Sequence, residues 1–327
     1  MSCILLISNM KNLLDVKNLN LGFETQNGFY QAIFDVSFSL KEGASLAIVG
    51  ESGCGKSIST MSILGLLPKT AKIIGGEILY KNNNLLKLNE SELRKIRGSE
   101  IALIPQDPMT ALNPLYTIGN QLLEVINLHQ HLSGEDAKKK AIEALDTVQI
   151  PSAKERLNSY PHEFSGGMRQ RAIIAMALAC EAKIIIADEP TTALDVTIQA
   201  QIMSLLDEIK KETDTSILLI THDLALVKDF ADEVSVMYAG EIVENANVNE
   251  FFNNTKHPYS KALLEAIPSK TKGELSVLKG QPPALNQIIS GCRFNPRCKF
   301  AQEVCKSKIN SPQNKTGYHY SKCIFFN

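Results

Sequence analysis

The stretch "SLAIVGESGCGKSISTMSILGLL", residues 45–67, decides the fold. Its first residues, Ser45 to Val49, read as a short buried strand, and the run from Ile58 to Leu67 reads as an apolar helix. Between them Gly50, Glu51, Ser52, Gly53, Cys54, Gly55, Lys56 and Ser57 match G-x-x-x-x-G-K-S. Glycines at this spacing let the backbone curl until successive N–H groups point at phosphate oxygens. The helix start adds partial positive charge. Lys56 then reaches β- and γ-phosphates, the Ser57 hydroxyl ligates Mg²⁺, and Ile58 is counted with the nucleotide-binding positions. Residues 50–58 are therefore expected to bind a nucleoside triphosphate with Mg²⁺. Cys54 reads as a small side chain that fits, with a redox-sensitive thiol beside a positive helix terminus as the alternative.

Downstream, "KIIIADEP" (183–190) and "SILLITHD" (216–223) are apolar strands separated by a helical stretch, "TIQAQIMSLLDEIKKE" (197–212). Upstream lies a further strand, "IALIP" (101–105). Strands alternating with helices spell a parallel sheet with crossover connections, and ligands gather at the ends of such strands. Asp188 and Glu189 end one strand. Asp188 is expected to hold Mg²⁺ through its water, and Glu189 to polarise an attacking water as general base. His222 ends another strand, where it would donate to the γ-phosphate or hold the water. Gln106 follows a third and would touch Mg²⁺ or the water. The bland alternatives are a solvated turn for the two acids and a structural histidine.

The remaining pattern fills in an architecture. Residues 13–40 alternate apolar and polar around "QNG", which predicts antiparallel strands and a hairpin. Residues 73–104 hold short strands and a polar helix, and 118–157 is helical with Lys/Glu-rich faces. "EVSVMYAGEIVENA" (233–246) reads as a hairpin at the far edge of the sheet, and "NNTKHPYSKALLEAIP" (253–268) as a short helix after a polar linker. Beyond Lys279 Pro, Gly, Asn and Cys dominate, and the chain reads as loop. The expected fold is α/β of the phosphate-loop NTPase class, with an antiparallel β subdomain, a helical subdomain at about 107–180 and a small cysteine-rich C-terminal extension. A boundary near 253 divides an ATP-binding domain, 1–253, from the extension, 254–327.

Composition narrows the function classes. A chain of 327 residues is long enough for one large domain and an appendage. Hydrophobic residues make up 44% and charged residues 21%, ordinary for a globular protein. A net charge of -1 argues against nucleic acid as partner, which wants a basic field. No window approaches the roughly 18 consecutive apolar residues of a membrane helix. The N-terminal "CILLIS" is too short for a signal-peptide core. Translation could start at Met1 or Met10.

"HEFSGGMRQR" (162–171) places Ser165 and two glycines, Gly166 and Gly167, before a long helix-forming run, which is how a chain grips an anion. In order, "GESGCGKS", Gln106, "FSGGM", "IIIADEP", "TALD" and "ITHD" resemble the ATP-binding subunit of an ABC transporter over about residues 12–252. That resemblance implies a head-to-tail dimer with two ATP molecules between the subunits. Ser165, Gly166 and Gly167 would bind the γ-phosphate held by the partner's phosphate loop. Asp195 would lie in the loop that links the two sites, and Phe23 would stack on adenine, with Tyr30 and Phe34 as nearby alternatives. The commonest family form of the motif is Leu-Ser-Gly-Gly-Gln. Phe164 and Met168 depart from it without removing the hydroxyl or the glycine amides.

Within the family, "IPQDPMTALNP" (104–114), "YPHEFSGGMRQR" (160–171), "HPYSKALLEAIP" (257–268) and "LKGQPPAL" (278–285) are similar to the oligopeptide/dipeptide importer branch. The resemblance implies two permease subunits as partners, the first of these segments docking on them. It also implies a second, related ATPase subunit and, indirectly, an extracytoplasmic solute-binding protein. The place of work would be the cytoplasmic face of the membrane. The branch also includes nickel, metallophore and glutathione importers. Two other classes compete: a soluble ABC ATPase acting on DNA or ribosomes, and a redox or iron sensor with regulatory ATP chemistry.

Seven cysteines divide unevenly. Cys3, Cys54 and Cys180 are scattered, while Cys292, Cys298, Cys305 and Cys323 form Cys-x5-Cys-x6-Cys-x17-Cys. In a reducing compartment such a cluster suggests a metal before disulfides. Zinc ribbons favour Cys-x2-Cys knuckles, absent here, and the wider spacings suit an iron–sulfur cube. The tail also resembles the C-terminal extension of the peptide-importer ATPases, which implies a [4Fe–4S] cluster. Zinc, free thiols, and His319 in place of one cysteine are the alternatives.

Overall fold

The computed structural model describes residues 11–192, 194–267, 278–307, 314–316 and 319–325. Cys3, the "CILLIS" run, both candidate starts and Ala193 of "TALD" lie outside the described residues. By its contacts the chain divides into two compact units, Met1–Lys87 with Ile220–Asn327, and Leu88–Leu219.

In chain order, the alternating stretch forms β1 (Asn12–Thr25) and β2 (Gly28–Lys41), antiparallel, with Gln26 and Asn27 at the turn. β3 (Ser45–Val49) is buried at every position, as its unbroken apolar run requires, and leads through the glycine loop into α1 (Lys56–Ile63). β4 (Ala71–Tyr80) pairs with the other edge of β1, and β5 (Asn83–Asn84) follows it. Then come β6 (Ile101–Ile104), α2 (Gly166–Ala179), β7 (Ile184–Asp188), α3 (Val196–Thr213) and β8 (Ser216–Thr221). The chain closes with β9 (Glu233–Tyr238), β10 (Glu241–Asn247), α4 (Pro258–Glu265), β11 (Asn314–Thr316) and β12 (His319–Ser321).

In the first unit, β2-β1-β4-β5 make one antiparallel sheet, and β11-β12-β10-β9-β3 lie side by side, with β3 and β9 parallel. In the second, β6 and β7 are neighbours and parallel. Its helices build a separate core: Ile118, Leu122, Ile126, Ala141 and Leu145 are fully buried at helical spacing. Thr117 caps the helix Ile118–Gln130 by accepting from the Asn120 N–H at 3.1 Å.

One expectation fails. The β9–β10 hairpin is not at the edge, because β12 pairs with β10 (Glu244 opposite Ser321) and β11 adds beyond it. Three-residue strands carry no readable periodicity, so a tail that looks like loop adds two strands. A buried acid fastens it. Glu244 is wholly inaccessible and accepts the Lys256 N–H at 2.7 Å, the His257 N–H at 3.0 Å and a hydrogen bond with His319 Nε2 at 2.8 Å. Two backbone N–H groups and the His319 ring thus satisfy a carboxyl group that burial would otherwise penalise.

Candidate functional site

In the first unit the phosphate loop takes a backbone path that only glycine allows at two points. A Cβ on Gly50 would lie 2.1 Å from the Met237 carbonyl oxygen. One on Gly55, whose φ is +110°, would lie 2.5 Å from Ile33 Cδ1. The loop floor is tied to the β9–β10 turn: the Gly240 N–H donates to the Cys54 carbonyl at 2.8 Å, and the Phe34 N–H donates to the Gly240 carbonyl at 2.8 Å. Lys56 is buried, and its Nζ donates to the carbonyls of Gly50 at 2.8 Å and Glu51 at 3.1 Å. Neutral carbonyls are weaker acceptors than phosphate oxygens, so an anion entering the loop would win the ammonium. Ser52 and Gly53 are exposed; Ser57 and Ile58 are half-buried at the start of α1. Cys54 is buried, and burial pushes its thiol above the usual range, which favours the small-filler reading over a reactive thiolate.

Glu51 has partners that sequence reasoning missed. Its N–H donates to the Tyr259 hydroxyl at 2.9 Å. Its carboxylate receives both prongs of Arg297, at 2.7 Å and 2.9 Å. The signal was present in the stretches "HPYS" and "NPRC", but nothing in their spacing says which residue they meet.

In the second unit Asp188 ends β7 and is 4% exposed. Glu189 follows in the left-handed region, φ +46°, an arrangement that non-glycine residues adopt at a cost and that tends to mark functional sites. Its Oε2 accepts from Gln106 Nε2 at 3.0 Å and from Thr192 Oγ1 at 2.9 Å. The structure thus brings together Gln106 and Glu189, residues 83 positions apart, and adds Thr192. Ser165 caps α2, its Oγ accepting from the Met168 N–H at 3.3 Å, and is exposed together with Gly166. Gly167 has no room for a side chain, a Cβ there lying 2.9 Å from Ile198 Cγ2. Phe164 is buried under the Arg156 guanidinium, so its departure from leucine serves packing. Asp195 is exposed and caps α3 by accepting from the Ile198 N–H at 3.0 Å, with Val196 beside it 81% exposed.

His222, in the first unit, is exposed just after β8. Phe23 is half-buried on β1 opposite Tyr30, while Phe34 lies under the Arg293 guanidinium at 3.9 Å, which commits that ring to packing.

Cys292, Cys298, Cys305 and Cys323 line one small cavity with Phe294 and Phe300 among its walls. Among the described residues, however, no group of three or more His, Cys, Asp or Glu side chains stands at metal-holding geometry, so the expected ligand set is not formed. Burial pushes the Cys292 thiol up to about 11 and raises that of Cys298. His319 is engaged by Glu244 and is not among the cavity's lining residues. No described helix is long and apolar enough to cross a membrane.

A phosphate loop opening α1 beside an antiparallel sheet, with a strand-ending acid pair and a serine–glycine helix start, defines an ATP-binding cassette of the ABC transporter class. Comparison with known proteins agrees. The ABC transporter family model matches residues 33–192, and the model for the oligopeptide/dipeptide transporter C-terminal region matches 243–305. The chain is 49% identical over 317 residues to the dipeptide transport ATP-binding protein DppD of Bacillus subtilis, covering 96% of this chain and 95% of that one. It is 50% identical over 301 residues to a probable peptide ABC transporter ATP-binding protein of Sinorhizobium fredii, covering 91% and 90%. Among solved structures, the dimeric post-hydrolysis state of the ATP-binding cassette MJ0796 bound to ADP and Pi matches with TM-score 0.65 and 30% identity, covering 72% of this chain and 98% of that one. The chain belongs to the ATP-binding subunits of the oligopeptide/dipeptide ABC transporter family, and it is an ABC ATPase.

Proposed function

We propose that this chain energises uptake of di- or oligopeptides by gripping Mg-ATP between two ATPase subunits and hydrolysing it. Glu189 carries the reading. An acid at the end of an apolar strand, its Oε2 accepting from Gln106 and Thr192, stands where a general base would polarise a water. Lys56 and the amides of Gly50 to Ser57 would hold the phosphates, Ser57 and Asp188 the Mg²⁺, and Gln106 and His222 the water and γ-phosphate. Ser165, Gly166 and Gly167 would close on the nucleotide of the second subunit, Asp195 would couple the two sites, and Phe23 would stack on adenine. ATP binding closes the pair and moves the permeases, and hydrolysis resets it.

Peptide cargo is supported by the names of the relatives at 49–50% identity. Permease docking is supported by Met109, Leu115 and Tyr116, which are 62%, 80% and 53% exposed in the segment between β6 and the helix Ile118–Gln130. Exposed large apolar side chains grouped in one segment mark an interaction face. The second ATPase would be a related chain, the solute-binding protein would act indirectly, and the site of action would be the cytoplasmic membrane face. We divide the chain functionally at 253/254. The extension's four cysteines share one cavity, and this supports their holding a [4Fe–4S] cluster, which would staple the tail. Iron and acid-labile sulfide analysis of the anaerobically purified chain tests it: iron and sulfide are expected, and zinc or neither refutes the cluster. The function itself is tested by co-purifying the chain with its membrane subunits and assaying ATP-dependent peptide uptake in proteoliposomes. Uptake of nickel or glutathione instead would move the cargo, and failure to associate with permeases would refute the transporter role.

A further inference from the structure

Two distant stretches of the first unit meet at Glu51 of the phosphate loop. Arg297 places Nη1 2.7 Å from Glu51 Oε2 and Nη2 2.9 Å from Glu51 Oε1. The same guanidinium donates to the Lys279 carbonyl at 3.2 Å, the Gly280 carbonyl at 3.1 Å and the Tyr238 hydroxyl at 3.4 Å. Tyr259 accepts the Glu51 N–H, and Phe294 packs against both tyrosines at 5.2 Å and 5.4 Å between ring centres. The arginine side chain is only 6% exposed and the glutamate 26%, so the pair is largely shielded from water. A fork fixed by carbonyls and an aromatic wall is already oriented for a planar carboxylate.

The position of Glu51 makes this more than a staple. It is a negative side chain inside a loop built to receive phosphates, and Lys56 Nζ already donates to its backbone carbonyl at 3.1 Å. Left alone, the carboxylate would repel the anion and compete for the one ammonium that the anion needs. We infer that Arg297 is a positioning residue of the nucleotide site: by occupying both oxygens of Glu51 it removes a competitor for Lys56 and keeps the loop receptive to phosphate. The C-terminal tail therefore sets the affinity of the phosphate loop for nucleotide. This rests on the reading that residues 50–57 take the phosphates.

The test is equilibrium binding of a non-hydrolysable Mg-ATP analogue to the full chain and to three variants, with thermal melting as the fold control. Arg297→Met is expected to bind about tenfold more weakly, the effect of one freed charge beside the anion. Adding Glu51→Gln to Arg297→Met is expected to restore affinity to near the parent's, because the competitor is gone. Mere structural support would behave oppositely: the double variant would bind as weakly as Arg297→Met or more so, and that result overturns the inference. Parent-like binding by Arg297→Met overturns it too. Where Arg297→Met does not fold, Arg297→Lys replaces it: adding Glu51→Gln is then expected to tighten binding, and no tightening overturns the proposal. A parent chain that fails to bind the analogue would instead refute the assignment of the loop itself.

Discussion

Replacing Glu189 with glutamine separates catalysis from architecture. Gln106 at 3.0 Å and Thr192 at 2.9 Å both donate to one oxygen of this side chain, Oε2. A glutamine that sets its amide oxygen there keeps both, losing only the charge-assisted part, about 1 kcal/mol in total. The left-handed backbone at 189 costs the same for either residue. Melting temperature should therefore fall by no more than about 4 °C. The second oxygen, which would draw a proton from water, becomes an amide NH₂ and can no longer act as base. General-base catalysis is worth about 10² to 10⁴ in rate, or about 3 to 5 kcal/mol of barrier. Phosphate release at saturating Mg-ATP, measured beside thermal melting and analogue binding, is the assay. Turnover should fall at least about a hundredfold with binding retained. Hydrolysis at the parent rate would refute the role given to Glu189.

Ser165→Ala removes a helix cap whose 3.3 Å bond is long, so stability should drop by only about 0.5–1 kcal/mol in urea unfolding. ATP turnover should fall on the order of tenfold or more; a loss confined to stability would make Ser165 a cap and nothing else. Burial pushes the Cys180 thiol up to about 11 and raises that of Cys54. Only the thiolate is alkylated, so its fraction at Cys180 is about one in a thousand at pH 8. Iodoacetamide labelling there, mapped by mass spectrometry, should rise about tenfold per pH unit up to pH 10; rapid labelling at pH 7 would contradict the burial. Glu244→Ala strands the amides of Lys256 and His257 and takes a partner from the His319 ring, and should cost at least about 1–3 kcal/mol with early proteolysis of the tail. Parent-like stability would mean the acid does not fasten β12.

What the sequence disclosed was whatever local chemistry dictates. The glycine loop was legible because Gly50 and Gly55 tolerate no Cβ, and a loop with such demands between strand and helix has few other purposes. Long elements were legible for the same reason: β3 is apolar throughout, and Ser165 and Asp195 cap helices at the positions their residue types prefer. Long-range partners were hidden. Nothing in "HPYS" or "NPRC" says that Tyr259 and Arg297 meet Glu51, 208 and 246 residues away. Thr192 beside Glu189 and the two strands added by the tail escaped likewise, since three residues show no period. The cysteine tail stood out by composition, yet composition does not place sulfurs, and they share a cavity without forming a ligand group.

The proposed function requires a nucleotide completed from two sides. Electron cryo-microscopy of the Glu189→Gln chain with Mg-ATP, its partner ATPase and the permeases examines this directly. Ser165 Oγ and the Gly167 amide are expected within hydrogen-bond reach of a γ-phosphate held by the other subunit's phosphate loop. A trapped triphosphate on Lys56, with Ser165 of every subunit facing open solvent, would contradict it.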